Sequence, residues 1–238
     1  MRKISLLILL LLSRFGAIAE TWPEALSRMP LAVTNVTELN QGNCVEVVLR
    51  ALYPNATVKA MVFMPGATDE FYMFHRARAI LTNGAPTLLD AVRALTNQTN
   101  IRVTYIAPIL LFHTDEDPIE PLVEIDDPGT ARKLKETNFK LRTFYNDIDW
   151  DHVLPDLKKY THLTISPKAR RMDSWHFFRH CVAGWNLTNW EAMEAVMMAG
   201  KERVRIEKNK LIFEGDIRTR TRPKFDATVS QPVVPAGK

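Results

Sequence analysis

Apolar runs in this chain are short. The longest, Ile4 to Leu12, rises only about 14 Å as a helix. A bilayer span needs about 20 apolar residues. Every later run breaks within a few residues at Pro, Gly or a helix-capping residue. Such a pattern supports buried strands and amphipathic helices in mixed order, not a polytopic membrane protein. The expected fold is α+β, with helices packed on a small mixed or antiparallel sheet. A C-terminal β-hairpin and a loose C-terminal tail complete it.

The first apolar run reads as an address. Arg2 and Lys3 precede it, and Ala17-Ile18-Ala19 offers a small-x-small cleavage pattern. Residues 1–19 are therefore expected to be a signal peptide, with Glu20 the first mature residue. The expected location is secreted or periplasmic, with no integral membrane span after cleavage. Residues 20–222 are expected to form one domain and residues 223–238 a flexible tail.

Cleavage changes the charge argument. Arg2, Lys3 and Arg14 leave with the leader and no acid does, so the formal charge falls from +4 to +1. A protein built to bind nucleic acid would keep its basic excess. That class of partner is excluded. Export also meets oxidising conditions, and Cys44 and Cys181 are the only two cysteines. A bridge between them would close a loop of about 137 residues and contribute roughly 4–5 kcal/mol in the chain-entropy model. Two buried thiols are the alternative. Four Asn-x-Thr sequons, at Asn35, Asn55, Asn97 and Asn186, mean glycosylation only in a host that secretes through a eukaryotic ER.

Along the chain, Trp22 to Met29 and Asn43 to Leu52 are expected as helices, and Val58 to Met64 as a buried strand. A helix is expected from Thr68 to Asn83. Thr87 and Asp90 form a capping box ahead of Leu88, Val92 and Leu95 at helical spacing. Ile101, Val103 and Tyr105 then alternate as a strand, and Ile109 to Phe112 form another. Over residues 87–105 alone, this pattern resembles the helix–strand piece of the short domain at the N-termini of secretins and some TonB-dependent receptors. The flanking segments carry no matching pattern, and no family is assigned.

Residues 115–127 carry seven acids and no base and read as an exposed loop. Residues 130–145 fit helix or strand. Helices are expected over 149–160 and from Asp173 or Ser174 to Val182, with a strand over 162–165. A second capping box, Thr188 to Glu191, opens a helix closed by Gly200. Arg203 to Glu207 and Leu211 to Glu214 pair as a hairpin. No internal repeat is visible.

The sequence names no reaction. His176-Phe-Phe-Arg-His180 would place two imidazoles on one helix face, where they could share zinc with His152. The metalloprotease helix has Glu beside its first His, and here that residue is Phe177. Arg218, Arg220 and Arg222 would lie on one face of a strand, suited to an anion or to guarding an edge. Trp175, Trp185 and Trp190 could stack on a sugar or fill a core. The expected role is a binding or assembly component without a cofactor. A metal-dependent hydrolase and a carbohydrate-binding module are the alternatives.

Overall fold

The computed structural model describes residues 21–31, 38–39, 57–63, 78–113, 123–139, 144–148, 150–165 and 180–216. The chain opens with helix α1 (Trp22–Ser27), where Glu24 accepts from the Thr21 amide at 3.0 Å and closes the first turn. Strands β1 (Glu38–Leu39), β2 (Ala60–Phe63) and β3 (Ala79–Ile80) follow, then helix α2 (Leu88–Gln98) and the hairpin β4 (Arg102–Ile106) and β5 (Ile109–His113). After β6 (Val123–Ile125) come helix α3 (Pro128–Glu136), β7 (Phe144–Ile148), helix α4 (Trp150–Thr161) and β8 (Thr164–Ile165). The last elements are β9 (His180–Gly184), helix α5 (Asn189–Gly200) and the hairpin β10 (Glu202–Glu207) and β11 (Lys210–Asp216).

The α+β expectation holds, with two main sheets. One has the order β4-β5-β2-β9-β7, and only its β2–β5 pair is parallel. The other has the order β6-β10-β11-β8, with the antiparallel C-terminal hairpin at its centre and a parallel strand on each side. Strands β1 and β3 form a separate pair. The five-stranded sheet is buried on both faces. Met61, Phe63, Leu110 and Phe112 join α1 and α2 in one core. Ala60, Val62, Ile109 and Leu111 join α3, α4 and α5 in the other. Each fully buried Leu, Val or Phe here contributes about 1.5–3 kcal/mol of transfer free energy.

Helix α5 lies between the two sheets, touching β2 and β9 on one side and β6 and β10 on the other. Its residues from Ala192 to Gly200 are all buried, so it is apolar nearly all round. Helix α2 packs on the β1–β3 pair and on one face of the five-stranded sheet, and it keeps Arg93 and Asn97 exposed.

Four expectations fail. The helix placed over 68–83 does not reach its expected end, because Ala79–Ile80 pair with β1 and Gln98 clasps Ile80 through both amide atoms at 2.8 Å. The helix placed from 173 to 182 is a strand from His180 onward. It is inserted between β2 and β7, and burial of Cys181, Val182 and Ala183 on both faces erases strand alternation. Within the acidic stretch, Val123–Ile125 pair with β10 rather than remaining loop. The ambiguous 130–145 segment is helical to Glu136 and extended from Phe144.

The fourth correction is a repeat. A constant shift that carries Thr87 onto Thr188 superimposes the order of elements from α2 through β5 on that from α5 through β11. It matches Ala91 with Ala192, Ala94 with Ala195, Arg102 with Arg203, Val103 with Val204, Leu110 with Leu211 and Phe112 with Phe213. Both helices open on a Thr–acid capping box. The hairpin registers agree as well: Val103↔Phe112 and Ile106↔Ile109 map onto Val204↔Phe213 and Glu207↔Lys210. Each second hairpin strand also takes a parallel neighbour from earlier in the chain, β2 in the first unit and β8 in the second. The match lies in capping, spacing and register more than in identity.

Candidate functional site

The two units meet at a cleft. The Ala107-Pro108 turn closes the hairpin of the first unit, with Ile106 and Ile109 on its flanks. Opposite stands the α5 face carrying Trp190, Glu191, Glu194 and Met198, which are neighbours because helical residues three and four apart share a side. The cleft is half open to solvent and has a volume of about 220 Å³.

Local hydrogen bonds fix both walls. Thr188 accepts from the Glu191 amide at 3.2 Å, and Glu191 accepts from the Thr188 amide at 2.8 Å. The same carboxylate meets Lys59 Nζ at 3.3 Å through both oxygens. The Lys59 amide donates to the Pro108 carbonyl at 2.9 Å, and its carbonyl accepts from the Trp185 amide at 2.8 Å. Lys59 thus ties the turn, the end of β9 and the start of α5 together. Glu194 is buried within the α5 wall and Trp190 is half-buried. Lys135 Nζ lies 4.9 Å from the Trp190 ring centroid, within cation–π range.

The residues singled out from sequence scatter. His152 is exposed on the first turn of α4. His180 opens β9, so the helical i, i+4 spacing assumed for it with His176 is absent at that end, and His176 lies outside the described residues. Among the described residues, no group of three His, Cys, Asp or Glu side chains is placed to hold a metal ion. Cys181 is buried on β9 and no disulfide occurs among the described residues; its expected partner, Cys44, lies outside them. So do Arg218, Arg220 and Arg222, Trp175, and the leader. Of the three tryptophans, Trp190 lines the cleft and Trp185 stands half-buried at the end of β9. No helix among the described residues is long and apolar enough to cross a membrane.

Sequence reasoning missed three features. The Pro108 wall was invisible because it meets α5 only in the folded chain. Thr104 Oγ1 and His113 Nε2 form a buried pair at 2.9 Å across β4 and β5, a contact that hairpin register could have signalled. Lys201 and Glu202 are fully buried where α5 turns into β10, and Lys201 takes φ 54 there. Gly200 ends the helix as expected, and the left-handed position falls on the next residue.

No family model matches the chain, and neither the curated proteins nor the solved structures contain a significant match to it.

Proposed function

We propose that this chain is an exported binding module, a component of an envelope or extracellular assembly, and that the cleft between its repeats takes the ligand. The observation that carries this reading is the chemistry of the cleft wall. Ile106, Pro108, Ile109 and Met198 give apolar surface, Trp190 adds an aromatic ring, and two carboxylates stand on the helix side. A preformed apolar hollow with a few placed polar groups is the usual form of a small-molecule site. Glu191 is already paired with Lys59, so the apolar wall rather than net charge selects the ligand. The volume suits a single ring. The ligand class is therefore a compact apolar group. Lys135 occupies one approach to the Trp190 ring that a stacked sugar would use.

The test is an NMR titration of the mature chain with benzyl alcohol, with glycerol as the polar control. Saturable shifts at the Ile106, Ile109 and Met198 methyls with benzyl alcohol alone, lost in Trp190→Ala, support the reading. No saturable shift, or an equal response to glycerol, overturns it. Soluble glycans that quench Trp190 fluorescence would replace it with carbohydrate binding.

A further inference from the structure

The repeat supplies an internal comparison for the outer edge of each hairpin. In the second unit that edge is occupied. Strand β6 lies parallel on β10, with Val123 beside Val204, Glu124 beside Arg205 and Ile125 beside Ile206. The Asp126 amide donates to the Ile206 carbonyl at 3.3 Å, and Arg203 Nη1 reaches Glu124 at 3.4 Å. Val123 is buried, whereas Glu124 points outward to its guanidinium partner.

Strand β4 is the equivalent of β10. It ends its sheet, and among the described residues β5 is its only strand neighbour. Its two-residue turn makes Ile106↔Ile109 a hydrogen-bonded pair, as it makes Thr104↔Leu111. The N–H and C=O groups of Val103 and Tyr105 therefore point away from β5, along the edge. Their equivalents in β10, Val204 and Ile206, carry the register with β6. Arg102 is exposed at the position matching Arg203.

We propose that the β4 edge binds an extended segment of a partner polypeptide, added in parallel as a further strand. The second unit dictates the segment's chemistry: apolar residues beside Val103 and Tyr105, with a polar residue between them. Main-chain pairing would supply affinity and the alternating side chains selectivity. A second copy of this chain fits the geometry less well. Two β4 edges related by a two-fold axis meet antiparallel, whereas the occupied edge in this molecule is parallel.

The experiment uses the chain without its leader and a fluorescein-labelled peptide, Pro-Leu-Val-Glu-Ile-Asp, copied from residues 121–126. Saturable anisotropy is expected, together with amide shifts at Val103 and Tyr105. N-methylation of alternate peptide amides should abolish binding without touching the protein, so loss of fold cannot mimic the result. Absence of saturable binding overturns the proposal. So do shifts confined to β10, binding that survives N-methylation of the peptide, or a concentration-dependent dimer that the peptide does not dissociate. Each of these leaves the cleft titration unaffected.

Discussion

Asp127 caps α3 by accepting from the Thr130 hydroxyl at 2.7 Å and the Thr130 amide at 2.8 Å. These bonds, the hydroxyl's foremost and then those from the Thr130 and Gly129 amides, hold its carboxyl below the ordinary carboxylate value. A folded-state pKa that is depressed gives stability above the unfolded value and loses it as pH falls through the folded one. Asp127→Asn should therefore melt below wild type near neutrality. The gap should close as pH falls through the folded-state value of the Asp127 carboxyl, where both side chains are uncharged; melting curves on acidification check it. Gly184 offers a different test. A Cβ there would sit 2.5 Å from Leu187 Cδ1 and 3.5 Å from the Ala60 Cβ. Leu187 is fully packed, so Gly184→Ala should cost about 1–3 kcal/mol in urea unfolding, the usual price of overpacking.

Helices α2 and α5 begin on the same device and end in different surroundings. Removing either Thr cap should cost about 1 kcal/mol. Thr188→Ala should cost more than Thr87→Ala, because Glu191 is held both by Thr188 and by Lys59 across the cleft. Thermal melts of the two variants, with the Lys59→Met background as a cycle, measure the difference. Capping boxes were legible in the sequence because they are local chemistry, and both helices stand where these signals place them. Of the two hairpins only the C-terminal one was expected, with a turn one residue longer than the Lys208-Asn209 turn observed. Strand β9 was not legible. His180 and its neighbours owe their extended form to β2 and β7 on either side, and two-sided burial removes the period on which recognition depends. Strand β6 was hidden for a related reason: three residues in an acidic stretch become a strand only because β10 offers an edge. The cleft joins a turn to a helix about eighty residues later, so only Trp190 pointed to it, and that by residue type alone.

At the scale of the molecule, the two units share matter as well as pattern. The sheet of the first unit rests one face on the helix of the second, through Ala60, Val62, Ile109 and Leu111. That same helix also floors the second sheet. A fragment ending after β5 would leave those four side chains facing water, a contiguous apolar patch of the kind that drives aggregation. A fragment beginning at β9 would lose β2, against which that strand pairs. Neither half is thus a free-standing repeat, and calorimetry should record one cooperative transition whose van't Hoff and calorimetric enthalpies agree. Whatever history produced the two copies, α5 has become a common beam: cutting the chain between the copies would not liberate two small proteins but demolish one.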